Sequence, residues 1–325
     1  MENENVTLEE KKIAPNPKKV AKNTDDLNVE QERKKKKIGK IIYKIFVYLF
    51  LTIVAIGAFL PFYWMFITSI KQEAEFRQSV PTFFPHVMSW QNYSYVMDYN
   101  KGIFGTVLLN TIIVGVVSTL LSLVIIILTA YAFAKMDFKG KELLFSLLLA
   151  TMMIPGELYA TTNYITVGKN GLDWNNTYVV LIIPFLVSVY YIYLLRNNFK
   201  QIPDSLYQAA KVDGTSEIGF LCKVMIPLTA PTLISVTLLK FIGTWNSYIW
   251  PQLVNKKESW QLISNWMQST GFNDPKGVLS GIAYTDGMTT LKMAAACMVS
   301  APLFILFIFF RKYIMRGVSR SGTKG

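Results

Sequence analysis

The sequence predicts an all-α integral membrane protein with six transmembrane helices and both termini in the cytoplasm. Hydrophobic residues make up 52% of the 325 residues, and the mean hydropathy is +0.31, more apolar than is usual for soluble domains. Six segments are apolar over about the 20 residues that a helix needs to cross a bilayer. Lysine and arginine concentrate on one side of these segments, which predicts the orientation.

The chain divides into a charged tail and a membrane domain. Residues 1–38 contain no aromatic residue and cannot bury a core, so we expect a disordered cytoplasmic tail. Residues 39–325 form the predicted membrane domain. Pro61 lies inside the first predicted span, and Pro155 with Gly156 breaks the third. The six predicted spans cover about 41–67, 105–134, 143–164, 178–195, 231–250 and 291–314.

The basic residues assign the sides of the membrane. With the tail inside, 24 of the 33 lysines and arginines face the cytoplasm, 7 lie in outer loops and 2 lie in or beside spans. This asymmetry accounts for the net charge of +12 without a nucleic-acid partner. The basic run at residues 33–37 is expected to lie against the anionic head groups of the lipid membrane.

A polar stretch, residues 196–230, separates the fourth and fifth predicted spans and predicts a cytoplasmic helix-turn-helix. Pro203 ends the preceding segment, and Gly214 is expected to stop the next helix in the left-handed conformation. An ordinary connecting loop explains these turn signals as well as a docking surface does. The expected caps are Asp204 or Ser205 for the first helix, and Thr215 or Ser216 for the second.

The spacing in this stretch resembles the coupling loop of binding-protein-dependent ABC importer permeases. That loop reads Glu-Ala-Ala, three residues, Gly, nine residues and Ile-x-Leu-Pro. The chain matches it over about 199–228, with Gln208 in place of the family's glutamate. The resemblance implies that an ATPase binds this loop. The implied ATPase-coupling residues are Gln208, Ala209, Ala210, Asp213, Gly214 and Pro227.

The resemblance covers roughly residues 41–325. Over this range the chain is similar to the shorter, six-span subunit of maltose-type carbohydrate permeases. The resemblance also includes the Asn110–Thr111 pair, Tyr131 to Ala134, and Trp245 with Asn246. It implies a bacterial cell membrane protein that pairs with a second, different permease subunit. It further implies two copies of an ABC ATPase and an extracellular solute-binding protein that delivers a sugar or oligosaccharide.

No cofactor is expected on this chain. The phosphate-loop pattern Gly-x-x-x-x-Gly-Lys-Ser/Thr does not occur in the sequence, so ATP and Mg²⁺ are expected on the partner ATPase. His86 is the only histidine, and it forms neither a catalytic set nor a metal-ligand cluster with its neighbours in the sequence. We therefore predict no catalytic residue and no metal site, and a transport subunit without enzymatic activity of its own.

Five residues are candidates for the substrate pathway. Lys240 lies inside the fifth predicted span, where a charge costs about 2.5–3.5 kcal/mol, so it should face protein or water or extend to the membrane edge. Glu157 follows the break in the third span. Trp245, Asn246 and Tyr248 combine aromatic faces with an amide, which suits a sugar; the alternative, which the pattern favours slightly, is helix packing with an interfacial aromatic.

Two other classes of function compete with the importer. A secondary transporter driven by an H⁺ or Na⁺ gradient would use Lys240 or Glu157 as its coupling charge and the broken third span as its site. The six predicted spans show no inverted repeat, and this class leaves the coupling-loop spacing unexplained. A membrane enzyme is disfavoured because the sequence offers no catalytic set.

Overall fold

The computed structural model describes the backbone of residues 17–274, 276–277 and 281–319, and the side chains of residues 36–313 within those ranges except Glu157. The chain forms two compact units, residues 1–64 and 65–325. The described part of the first unit is helical and belongs to α1, Pro17–Ser69, whose end lies in the second unit.

The charged tail is helical from Pro17 onward, where the sequence predicts disorder through residue 38. Lysine, arginine, glutamate and glutamine, which are frequent in this part of the tail, have high helix propensity, so the charged sequence can continue the helix of the span. Residues 1–16 lie outside the described residues. The boundary at residue 38 stays a prediction.

The second unit consists almost entirely of helices. In its described residues, the only extended pairing is one antiparallel bridge between Asp274 and Tyr284. The helices after α1 are α2 (Glu73–Phe76), α3 (Gln91–Lys135), α4 (Lys141–Thr151), α5 (Gly156–Val167), α6 (Tyr178–Ile182), α7 (Val189–Lys200), α8 (Asp204–Val212), α9 (Glu217–Phe220), α10 (Ile226–Leu228), α11 (Ala230–Trp245), α12 (Ile249–Val254), α13 (Ile263–Ser269) and α14 (Thr289–Ser319).

Three to five candidate membrane spans are present in the described residues. Helices α1, α3 and α14 are long and apolar enough to cross a membrane. Two bent assemblies reach that length if each is one span: α6 with α7, bent by 45°, and the segment from α9 to α10 with α11 and α12, bent by 83°. A nearly all-helical membrane architecture is thereby confirmed, while the count of six spans and the orientation stay predictions.

Two predicted spans are interrupted. The third is divided into α4 and α5, with Pro155 at the start of α5, as Pro155 and Gly156 predicted. The fifth was predicted to continue to residue 250, but α11 ends at Trp245. The Asn246 N–H still makes the α-helical bond to Ile242 O at 3.0 Å, but the Ser247 N–H donates to Thr244 O at 3.1 Å, three residues back, and this shorter bond tightens and ends the helix.

Helix α3 is central to the second unit and contacts α7, α11 and α14. It approaches α11 closely at Gly115, where a Cβ atom would lie 2.8 Å from Cε2 of Phe241. Near its beginning the helix is kinked, because Tyr99 to Gly102 have non-helical backbone angles. At its other end, Ile126 and Tyr131 share a buried core with Phe220 and other residues of the predicted coupling loop.

Candidate coupling loop and membrane cavity

The predicted helix-turn-helix is present as α8 and α9. Gly214, at φ = +71°, follows α8, and its N–H donates to Lys211 O at 3.1 Å. The N–H of Thr215 donates to Ala210 O at 2.9 Å, which completes the two-bond pattern of a left-handed helix stop. Ser216 caps α9 by accepting a bond from the Gly219 N–H at 3.2 Å. The stop and the second cap are confirmed.

The predicted cap of α8 is wrong. Pro203 occupies the N-cap position, and neither Asp204 nor Ser205 makes a capping bond. The Asp204 carboxylate instead accepts a bond of 2.6 Å from the ammonium group of Lys135 at the end of α3. An ion pair with a buried ammonium is stronger than a bond to one exposed backbone N–H, so the carboxylate turns towards α3.

Helix α8 has an exposed face and a packed face. Gln208, Ala209 and Val212 are exposed, and Val212 exposes 88% of its surface. Tyr207 and Ala210 lie against the core shared with α3 and α7. The two alanines therefore lie on different faces of α8, and only Ala209 is on the face open to a partner. Asp213 caps the helix end and is exposed, and Pro227 is exposed in α10 before the 83° bend into α11.

Two acidic side chains connect this loop to the end of α3. Glu217 accepts bonds from the hydroxyls of Tyr131 and Tyr207, the latter at 2.8 Å, and pairs with Lys211. Hydrogen bonding to Glu217 raises the pKa of Lys211 above its ordinary value. Hydrogen bonding to Lys135 lowers the pKa of Asp204, so that pair stays charged. The Lys135 ammonium also donates to the Ile202 carbonyl at 2.8 Å.

Arg196 adds a third connection. It is buried at the end of α7, and its Nε donates to Phe133 O at 3.0 Å. Its terminal nitrogen donates to both Glu142 oxygens, at 3.0 and 3.2 Å, and its guanidinium carbon lies 3.8 Å from the centre of the Phe145 ring. We call these connections the inner clamp. Its residues are Tyr131, Lys135, Glu142, Arg196, Asp204, Tyr207, Lys211 and Glu217.

Sequence reasoning used the clamp's basic residues only to assign membrane sides, took Asp204 as a possible helix cap and Tyr131 as part of the family resemblance, and predicted none of the clamp's pairings. Tyr131 and Glu217 are 86 positions apart, and Lys135 and Asp204 are 69 apart, so no local pattern pairs them. The available signal was a set of charges flanking two spans on one side of the membrane. The clamp therefore joins α8 and α9 directly to the central helix α3.

Another set of ion pairs joins two loops that the sequence predicts to lie outside the membrane. Glu73 is buried and accepts bonds from the backbone N–H and hydroxyl of Thr290 at 2.9 and 2.8 Å. Arg77 donates to Glu73 at 2.9 Å and to the two oxygens of Asp286 at 2.9 and 3.1 Å. Hydrogen bonding to Arg77 lowers the pKa of Asp286. We call Glu73, Arg77, Asp286 and Thr290 the outer clamp, after the predicted side; it joins the loop between α1 and α3 to the start of α14.

A cavity of about 330 Å³ lies between α3, α6, α11 and α12. Lys240 is half-buried at its wall, and its ammonium donates to the Phe185 carbonyl at 2.6 Å. That carbonyl lies at the bend between α6 and α7. Hydroxyl groups line the same cavity, and Gly243 leaves its wall open, because a Cβ atom there would meet nothing within 4 Å. The hydroxyl residues are Ser118, Tyr191, Thr244 and Ser247.

The other pathway candidates are dispersed. Trp245 exposes 2% of its surface, and its indole N–H donates to Val299 O at 3.2 Å, so it packs between α11 and α14. Asn246 is exposed at the end of α11, and Tyr248 is half-buried beyond it. Glu157 is the second residue of α5, and its side chain lies outside the described residues. The pathway roles of these residues stay predictions.

A family model described as binding-protein-dependent transport system inner membrane component matches residues 122–320. The chain is 30% identical over 274 residues to the arabinooligosaccharides transport system permease protein of Halalkalibacterium halodurans, covering 84% of this chain and 93% of the relative. It is 27% identical to the sn-glycerol-3-phosphate transport system permease protein of Pectobacterium atrosepticum, covering 84% and 95% of the two chains.

A solved structure is also similar. It is the crystal structure of a bacterial ABC transporter involved in the import of the acidic polysaccharide alginate, and one of its chains matches with a TM-score of 0.74 at 28% identity. The match covers 84% of this chain and 96% of that chain. The family match contains the whole of α8, α9 and α10. This chain therefore belongs to the family of binding-protein-dependent transport system inner membrane components, the permeases of ABC importers.

Proposed function

We propose that this chain is one of two permease subunits of an ATP-driven importer in a bacterial cell membrane, and forms half of the pathway for a sugar or oligosaccharide. The names of its relatives and of the similar structure support a carbohydrate, since they include arabinooligosaccharides and alginate. The observation that carries the coupling role is the exposed face of α8, formed by Gln208, Ala209 and Val212, on a helix tied to α3 by the inner clamp.

The partners follow from this role. The second permease subunit completes the pathway, two ATPase copies bind ATP and Mg²⁺, and an extracellular solute-binding protein delivers the sugar. All six spans cross the membrane with both termini in the cytoplasm, so α8 faces the ATPase. The Lys135–Asp204 pair agrees with this side, since basic residues concentrate in the cytoplasm.

ATP closes the two ATPase subunits, and α8 moves with the one that holds it. Gly214 keeps the turn between α8 and α9 compact, so both helices move as a unit. The inner clamp transmits this motion to α3, and the bend after Pro227 transmits it to α11. Because α3 and α11 line the Lys240 cavity, their displacement changes its access from one side of the membrane to the other.

The test is purification of the assembled complex, followed by ATP-dependent sugar uptake in proteoliposomes. A second permease and two ATPase copies should co-purify with the chain. Ala209→Trp should abolish their association or the ATPase activity stimulated by the loaded binding protein, because the indole projects from the exposed face. Gln201→Trp is the matched control, since Gln201 is also exposed but precedes α8.

Two results would overturn the proposal. One is a chain that purifies without an ATPase and drives transport that survives ATP depletion but stops when the ion gradient is removed. The other is Ala209→Trp with the same ATPase association and coupled activity as Gln201→Trp. The first result would favour a secondary transporter with Lys240 as its coupling charge, and the second would reject the exposed face of α8 as the coupling surface.

A further inference from the structure

We infer that the Lys240 cavity binds a negatively charged group of the transported solute, so that the substrate class is an acidic sugar bearing a carboxylate, phosphate or sulfate. This inference rests on the proposed function, because it takes the cavity as part of the pathway. It goes beyond that function by assigning a charge to the solute and a residue that recognises it.

The charge of the cavity is the first argument. Lys240 is the only charged side chain among the residues that line it, and in the described part of the chain no carboxylate pairs with Lys240. A charged group inside a membrane span is costly, and such residues usually face a partner or a water-filled path. An anion entering the cavity would supply the opposite charge.

The hydrogen bonds of Lys240 are the second argument. An ammonium group has three donors, and Lys240 uses one for the Phe185 carbonyl at 2.6 Å. Its other donors can bind a ligand while that bond fixes the position of the nitrogen. The side chain is thus held at the cavity wall and still has capacity for an anion.

The lining of the cavity is the third argument. The hydroxyls of Ser118, Thr244 and Ser247 can exchange hydrogen bonds with sugar hydroxyls, and Trp250 offers an apolar surface. The volume of about 330 Å³ is at the small end of ligand pockets, which range over about 300–1,000 Å³. Hydroxyls alone would suit a neutral sugar. The lysine is what favours an acidic one.

A structural role for Lys240 makes a different prediction. Its bond to Phe185 bridges the bend between α6 and α7, so the lysine could serve only to stabilise that bend. In that case Lys240→Met would lower the thermal stability of the complex. It would not change how strongly the cavity attracts or repels charged molecules. The experiment therefore measures the local potential directly.

The probe is a cysteine at Gly243, in a Cys222→Ser/Cys297→Ser background. Gly243 is one helical turn from Lys240, and its open surroundings accept a side chain without displacing neighbours. The assembled complex in phosphatidylcholine nanodiscs, which carry no anionic lipid, is labelled with the anionic sulfonatoethyl and the cationic trimethylammonioethyl methanethiosulfonates. Gly105→Cys is the matched control, because Gly105 is also an open helical glycine but lies outside the cavity.

We expect the ratio of anionic to cationic labelling rates at Gly243→Cys to exceed the control ratio by about tenfold, as one nearby charge in a partly desolvated site would give. Lys240→Arg should keep this preference, and Lys240→Met should remove it. A galacturonate trisaccharide should slow the labelling more than a neutral trisaccharide of the same length. The same preference for galacturonate should be lost in Lys240→Met.

The outcomes separate the inference from the proposed function. No labelling at Gly243→Cys would mean that water does not reach the cavity, and would overturn its place in the pathway together with the inference. Labelling with the control ratio, or equal protection by both trisaccharides, would overturn the acidic substrate alone and leave the importer intact. A ratio that Lys240→Met leaves unchanged while thermal stability falls would assign Lys240 to the bend.

Discussion

The inner and outer clamps connect distant segments through ion pairs, but they bury charges of opposite sign. In the inner clamp the Lys135 side chain is 3% exposed and its partner Asp204 is 83% exposed. In the outer clamp the Glu73 side chain is 1% exposed and Arg77 is 36% exposed. In both, the buried charge also binds backbone: Lys135 binds the carbonyl of Ile202, and Glu73 binds the N–H of Thr290.

This difference predicts which substitution matters at each end. Removing the buried partner leaves a buried backbone group without its bond and an exposed charge that solvent can screen, whereas removing the exposed partner leaves the buried charge still bound to backbone. The effect of a substitution therefore depends on burial rather than on the sign of the charge. We expect the acid to be critical in the outer clamp and the base in the inner clamp.

The largest effect is expected for Glu73→Ala in the outer clamp. Without the carboxylate, the buried Thr290 N–H loses its acceptor and Arg77 loses one of its two acidic partners. We expect a loss of about 3 kcal/mol in the local stability of the contact between the α1–α3 loop and α14. Hydrogen exchange at the start of α14 in the purified complex measures this loss.

The matched control for that substitution is Glu75→Ala on the same short helix. Glu75 is also buried, but it accepts bonds from Thr82 and His86 within its own loop. Its removal should speed exchange within that loop and leave α14 protected. Equal loss of protection in α14 for both variants would contradict the assignment of the outer clamp to Glu73.

The inner clamp should show the reverse order. Lys135→Met removes the buried ammonium together with its bonds to Ile202 and Asp204, and should lower coupled ATPase activity by about tenfold, since bonds to a charged group are worth about 1.5–3 kcal/mol. Asp204→Asn should have a much smaller effect, because the Lys135–Ile202 bond remains. Coupled and basal ATPase rates of the reconstituted complex distinguish the two variants. A larger loss in Asp204→Asn would reverse the comparison.

Local chemistry in the loop was predictable from the sequence, but long-range partners were not. Gly214 and Ser216 have the predicted roles, because a left-handed stop and an N-cap depend on residues a few positions away. The capping prediction for Asp204 failed because a lysine 69 positions earlier binds the carboxylate. Both clamps pair residues distant in sequence, so only the folded chain reveals them.

In the membrane-spanning helices, too, local features were predictable from the sequence and long-range packing was not. Apolar length predicted α3 and α14, and Pro155 predicted the break between α4 and α5. The hydropathy pattern did not predict the early end of α11, because apolar residues resume at Tyr248 after only two polar positions, Asn246 and Ser247. Lys240 was singled out by its charge, but its cavity depends on the packing of four helices and is not encoded in any local pattern.

A smaller, local effect is expected for Gly214→Val in the stop of α8. The left-handed conformation costs an L-residue about 1–2 kcal/mol, and the open surroundings of Gly214 add no clash. This strain should loosen the turn and reduce coupled activity, while the amount of chain in the membrane stays unchanged. Coupled ATPase activity, with the chain quantified in the membrane fraction, is the measurement.

Two variants control for this strain. Gly140→Val imposes the same backbone conformation, at φ = +82° and in equally open space, but outside the coupling loop. It should leave coupled activity near the unaltered level. The coupled activity of Gly214→Asn should lie between that of the unaltered chain and that of Gly214→Val, because asparagine tolerates the left-handed region better than valine does. Equal loss in the two valine variants would assign the defect to general destabilisation.

The smallest effect is expected from titration of the exposed acid in the outer clamp. Hydrogen bonding to Arg77 lowers the pKa of Asp286 below its ordinary value of 3.8, so its stabilising contribution is complete above that value and is lost as the pH falls through the lowered pKa. Between about pH 5 and 8, titration of Asp286 should therefore not change the stability of the outer clamp. Hydrogen exchange at the start of α14 across this range, in the unaltered chain and in Asp286→Asn, provides the measurement. A protection change near pH 6 that is absent in Asp286→Asn would contradict the lowered pKa.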